Sequence, residues 1–137
     1  MITMSTYTVY EYMKDKFPSL ANVLGNGFMD KRNAMSIGIF LGSDTRSGNN
    51  LAIGGLECTS VRMLPINIQI RWSENKKLHD EKAIEIYDAL LTETQNFEVG
   101  SVKIAYIQML DPCPVTLGRD DKNICESIIR ANFYYYI

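Results

Sequence analysis

Between Val61 and Trp72 the chain alternates without a break, with Leu64, Ile66, Ile68, Ile70 and Trp72 on one parity and Met63, Pro65, Asn67, Gln69 and Arg71 on the other. Successive side chains of an extended strand point to opposite faces, so this stretch predicts a long strand with one face in a core and the other wet or shared. Such a strand cannot bury its apolar face alone and demands sheet neighbours and a covering layer. Pro65 has no amide to give to a ladder, which predicts that the strand lies at an edge there or is bulged. An uncovered edge invites a partner strand.

The covering layer is written in two amphipathic segments. Val9, Tyr12, Met13, Phe17, Leu20, Ala21 and Leu24 recur at intervals of three and four, the spacing of one helical face. Pro18 predicts either a kink near Phe17 or a second helical piece opening at the proline, and Gly25-Asn26-Gly27 is expected to close the segment. The second helix begins at a cap on Ser73 or Asn75. Its buried face is Ala83, Ile86, Tyr87, Leu90 and Leu91, with Glu81, Glu85 and Asp88 turned outward.

Three further strands are expected, over 35–41, 102–110 and 125–137. In the last, Ser127, Ile129, Ala131, Phe133, Tyr135 and Ile137 share one face, while Glu126, Ile128, Arg130, Asn132, Tyr134 and Tyr136 share the other. Phe133 and Tyr135 read as core, and Tyr134 and Tyr136 as contacts to a second layer or a second subunit. The polar stretch 42–50 and the segment from Asp111 to Asn123 read as long loops and candidate contact surfaces. Strands and helices come in runs, not in strict alternation. An α+β fold follows, with an antiparallel or mixed four-stranded sheet and two helices packed on one face, and a doubly wound parallel sheet is disfavoured.

A chain of 137 residues is the size of one domain, 1–137, able to bury roughly two thirds of its unfolded surface. A net charge of −2 supplies no basic field for coating nucleic acid. The Met-Ile-Thr-Met-Ser start has neither a basic region nor an apolar run of the kind that directs export, and no apolar stretch approaches a membrane span, so synthesis and retention in the cytoplasm are expected. Cys58, Cys113 and Cys125 show no C-x-x-C spacing, which fits reduced thiols; Cys113, between two prolines with no basic neighbour, is structural.

Motifs for chemistry are thin. His79 stands alone, without the ligands that a metal site needs or a nucleophile motif to serve, and reads as a surface histidine at the start of a helix. Gly25 and Gly27 begin a G-x-G, but Asp30 occupies the place of the third glycine. Asp120 and Asp121 could serve as an acid-base pair or hold a divalent cation, yet neighbours in a turn point apart, and a solvated turn is the plainer reading. No enzyme activity, metal or cofactor is expected.

From Met63 to Ile137 the chain resembles a group of small phage proteins, the minor capsid or tail terminator (tail completion) proteins of tailed phages and prophages of Gram-positive bacteria. The resemblance is carried by the strand Ile66-Asn67-Ile68-Gln69-Ile70-Arg71-Trp72-Ser73 and the helix Ala83-Ile84-Glu85-Ile86-Tyr87-Asp88-Ala89-Leu90. Pro114-Val115-Thr116-Leu117-Gly118-Arg119-Asp120-Asp121 and a closing strand rich in aromatics complete it. It implies a structural virion subunit that forms a hexameric ring on the head-proximal end of the tail tube, stops tube polymerisation and offers a surface for head joining. Its partners would be further copies of itself, the tail tube protein and head connector proteins. No membrane and no sequence-specific nucleic acid are expected, although DNA would pass through the ring. The protein would reside in the host cytoplasm during assembly and then in the neck or upper tail.

Under that resemblance the ring or tube contacts fall on 42–50 and on Asp111 to Asn123, with Asp44, Arg46, Arg119, Asp120 and Asp121 as candidate charged groups. Arg71, Tyr134 and Tyr136 complete the candidate interface. Two readings stand behind this one: a head completion or connector-adaptor protein, and a small-ligand enzyme or regulatory binding domain, which would require a pocket of convergent polar groups.

Overall fold

A computed structural model describes residues 3–42, 53–93 and 96–137. The chain runs α1 (Thr6–Lys16), a 3-10 turn (Pro18–Leu20), β1 (Leu24–Asn26), β2 (Ser36–Leu41), a second 3-10 turn (Leu56–Cys58), β3 (Val61–Arg71), α2 (Lys76–Leu91), β4 (Phe97–Val99), β5 (Val102–Met109), β6 (Val115–Arg119) and β7 (Cys125–Tyr136). The fold is α+β with two helices, as expected, but the mixed sheet has seven strands and not four, in the order β1-β2-β3-β7-β5-β4, with β6 also on β7. The three additional strands are the short ones. β1 lies in the Gly25-Asn26-Gly27 stretch expected only to stop a helix, and it pairs parallel with β2 through Leu24↔Ile37 and Asn26↔Ile39.

The alternating segment is central and not at an edge. β3 pairs antiparallel with β2 on one side and with β7 along its whole length on the other, from Val61↔Tyr136 to Arg71↔Glu126. Pro65 is tolerated there for a local reason. Its carbonyl accepts the Gly42 amide at 2.8 Å, so its own nitrogen faces the same side, just where the β2 ladder ends at Leu41↔Ile66. The missing donor therefore removes only the last bond on the β2 side and none of those to β7.

The register brings Ile66 beside Ala131, Ile68 beside Ile129 and Leu64 beside Phe133, with Ile37 and Ile39 of β2 next to Ile70 and Ile68. Both helices pack on this face. From α1, Val9, Tyr12 and Met13 are buried, and the Tyr12 ring lies 4.9 Å from Phe97 and 6.2 Å from Phe133. From α2, Ala83, Ile86, Tyr87 and Leu90 enter the same core, whereas Leu91, at the helix end, stays exposed. Pro18 does open a second helical piece. The cap on α2 is Asn75, whose side-chain oxygen accepts the Lys77 amide at 3.0 Å and the Leu78 amide at 3.4 Å, satisfying donors that the first turn leaves without intrahelical partners.

The helices are also tied to each other. Tyr12 donates its hydroxyl to Glu93 Oε1 at 3.1 Å, and Lys16 pairs with the same carboxylate. Burial, with the Glu93 charge beside it, pushes the Tyr12 phenol far above its ordinary pKa and keeps it a donor.

Ile68 is wholly buried at the centre of this layer. Ile68→Ala removes its branches from a site flanked by strands on both sides, and a loss of about 2–5 kcal/mol in unfolding free energy is expected by denaturant titration.

Candidate interaction surface

β5 and β6 run one after the other along the same side of β7. β5 pairs with it from Ala131 to Tyr135, and β6 from Cys125 to Ile128. The break between them is built by Pro112 and Pro114, which have no amide to extend the ladder. The break is held in place from two directions: Arg130 grips the Asp111 carboxylate at 2.8 and 2.7 Å, and Tyr87 of α2 donates to the Asp111 carbonyl at 2.6 Å. The Arg130 guanidinium holds the Asp111 carboxyl below the usual carboxylate range.

β4 covers only Val102 to Ile104 of β5. Among the described residues no strand lies on the other side of β6, whose five residues are all exposed, with Leu117 half open at 50 %. Gly118, at φ 103°, occupies a bulge that shifts the register between Thr116 and Gly118. What the sequence marks as a loop is therefore partly an open-edged strand.

The turn after β6 is fixed by charge. Asp120 accepts the Lys122 and Ile124 amides, both at 2.9 Å, and takes the Arg71 Nε at 2.5 Å; Arg71 also donates to the Asn33 carbonyl. Burial alone would raise the Asp120 pKa. The two amides and the guanidinium outweigh it and hold the carboxyl below the ordinary range. Arg71 and Asp120 expose only 1 % and 6 % of their side chains, so neither offers its charge to a partner, contrary to the sequence expectation. Arg119 and Asp121 are exposed; Arg119 spends Nη1 on the Glu74 and Asn123 carbonyls at 2.8 and 3.0 Å. Asp44 and Arg46 lie outside the described residues.

The sheet face away from the helices carries an aromatic and amide ladder. Tyr106 and Tyr134 stack with centroids 4.4 Å apart and planes 9° off parallel. Gln108 Oε1 accepts from the Tyr134 hydroxyl at 3.0 Å and from Asn132 Nδ2 at 3.2 Å, while Lys103 sits 5.5 Å over the Tyr136 ring. Tyr134 and Tyr136 are half-buried, on the face away from the core as their parity requires, and Tyr106 is 45 % exposed. No described helix covers this face.

His79 is not at the surface. It is 1 % exposed, with Nε2 2.8 Å from Ser127 Oγ, and its Nδ1 has no partner. Desolvation lowers its pKa, so the neutral ring is the stable form at neutral pH. A signal for this was present: His79 precedes Ala83 by four, and Ser127 has the parity of the core residues of β7, so both periodicities point inward. Beside this pair opens a cleft of about 190 Å³, lined by Lys76, Asp80, Ala83 and Ile84 of α2, by Cys113, Pro114 and Thr116, and by Ser127. Among the described residues no group of three His, Cys, Asp or Glu side chains converges as a metal site would require, and no helix is long and apolar enough to cross a membrane. Set beside models of known protein families and beside characterised proteins, the sequence matches none.

Two titrations follow from these placements. Asp120→Asn should lower the melting temperature at pH 7. It should also flatten the acid limb below about pH 4, because a depressed carboxyl stabilises the fold above its unfolded pKa and loses that contribution as pH falls through the folded value. His79 is depressed too, so its contribution is complete above about pH 6.5 and lost below it. His79→Gln should remove part of the stability loss that wild type shows as pH falls below about 6.5, as read by thermal denaturation across a pH series.

Proposed function

We propose that this chain is a structural virion subunit, a phage tail terminator, whose copies close into a ring on the head-proximal end of a tail tube, halt its growth and present a surface for head joining. The observation that supports this most is the face of the sheet away from the two helices, where Tyr106, Gln108, Tyr134 and Tyr136 form an ordered aromatic and amide patch with Tyr106 45 % exposed. Tyrosines supply large contact area with few rotatable bonds and are favoured where proteins meet. A patch of this kind, fitted against a different patch of the next copy, gives a heterologous contact that closes into a ring when the rotation allows. Arg119 and Asp121 then serve to set register more than to add affinity.

The protein acts in this reading by docking and not by catalysis. Its lone histidine is used inside the fold, and among the described residues no acid orients its Nδ1 as a general base would need. Subunits can remain monomeric until a tube end supplies the missing contact energy. The protein is placed in the host cytoplasm during assembly and in the neck or upper tail afterwards, with tail tube protein below it and head connector proteins above.

Electron microscopy of tails assembled without the chain should show tubes of uncontrolled length that fail to join heads; tubes of normal length that still join heads would overturn the reading. Tyr106→Lys places an unpaired charge in the patch at a cost to the monomer of about 1 kcal/mol or less, the worth of one aromatic stack. Rings on tube ends should be lost in that variant while its thermal unfolding stays close to wild type.

A further inference from the structure

β6 and the cleft behind it combine two features. The first is a five-residue strand whose outer edge meets no strand among the described residues, with Leu117 half exposed. The second is the cleft on the helix side of the same strand, between β6 and α2, with Ser127 as its floor. Thr116 belongs to both, because it pairs with Ser127 across the ladder and lines the cleft.

We propose that β6 and this cleft form a receptor groove for an extended, uncharged segment of a partner protein, taken up as an additional strand beside β6. The edge supplies the backbone recognition: amides and carbonyls that point away from β7 are a template on which another extended main chain can pair in place of water. The cleft supplies the selection. An added strand sends every second side chain to the helix side of the sheet, and there it meets a space of about 190 Å³, room on the order of six waters, so that charge and hydrogen bonding, more than size, do the selecting.

The charge of the cleft defines the occupant further. Its ionisable groups are Lys76 and Asp80, which pair with each other at 2.9 and 3.0 Å, and the Cys113 thiol. A charged side chain entering the cleft would break that pair or face its like-charged member, whereas a neutral one disturbs nothing. Ser127 is 3 % exposed yet lines the cleft; its hydroxyl has one donor and two acceptor sites, and His79 uses one of them at 2.8 Å. The remaining capacity, with the Thr116 hydroxyl, favours a threonine or serine in the pocket. This groove is on the opposite face from the aromatic patch, so it stands or falls apart from the ring.

The probe is the uncharged peptide acetyl-Thr-Val-Thr-Val-Thr-amide, titrated into the full chain labelled with 15N. Saturable shifts concentrated on 115–119 and on Ser127, Ala83 and Ile84 are expected. Two peptides N-methylated at alternate residues, covering both edges, separate strand pairing from simple cleft filling: at least one should bind more than tenfold more weakly. A version with lysine in place of threonine should bind at least about twofold more weakly, the worth of the exposed ion pair it disturbs, and Thr116→Trp, at an exposed position, should block binding while leaving distant resonances unmoved. Several outcomes overturn the proposal: no saturable shift at millimolar peptide, shifts centred elsewhere, or both methylated peptides binding as tightly as the unmodified one. A β6 edge already protected from exchange in a dimer of this chain would overturn it as well, by assigning the edge to a second copy.

Discussion

The ladder between β3 and β7 is the constraint from which the rest of the structure follows. It pairs Val61 to Arg71 with Tyr136 to Glu126 without a slip. That register puts Ile66, Ile68 and Ile70 on the face of Ala131, Ile129 and Ser127, and a shift by one residue would turn every one of them to the wrong side. With the apolar parity of both strands aligned, one face must be covered and the other cannot be covered in the same way. α1 and α2 go to the first; the second keeps Asn67, Gln69, Arg130 and the tyrosines.

At one end of this ladder sits the Arg71–Asp120 pair, with both side chains almost fully enclosed. A buried ion pair is poor evidence of net stability, since desolvation offsets much of the attraction, but breaking it leaves an uncompensated charge. What this one contributes is placement. Through Asp120 it shapes the turn between β6 and β7, and through the Asn33 carbonyl it ties the same turn to the segment before β2. Lys122, which donates to the Lys31 carbonyl at 3.0 Å, adds a second tie. The open strand β6 thus projects from a rigid corner.

Much of this was legible in the sequence where periodicity had length to work with. β3, β7 and α2 were found because each repeats its pattern several times, and Pro18 announced the change in helical character after α1. β1 and β4 are three residues each, too short to show any period, and β1 is written in Gly and Asn, which read as a helix stop. β6 was hidden by its surroundings: Asp111-Pro112-Cys113-Pro114 on one side and Asp120-Asp121-Lys122-Asn123 on the other are turn signals, and they bracket a true strand. The interface residues divide along the same line. Tyr134 and Tyr136 follow from parity, whereas the enclosure of Arg71 depends on Asp120, distant in sequence, and no local pattern reports such a pairing.

α2 has a role in this architecture beyond covering the core. His79 and Tyr87 lie eight residues apart in sequence, about 12 Å along a helix axis. His79 reaches Ser127, in the part of β7 paired with β6, and Tyr87 reaches the carbonyl of Asp111, where β5 has just ended. The helix therefore bridges the point at which β7 exchanges one partner for the next. Without that bridge the proline-marked break would be a weak seam in the sheet, and β6 would hold its place through one short, bulged ladder. With it, a strand that no described strand pairs on its outer side is kept in register on its inner side, which is the condition an open edge must meet if it is to receive a partner and not simply fray.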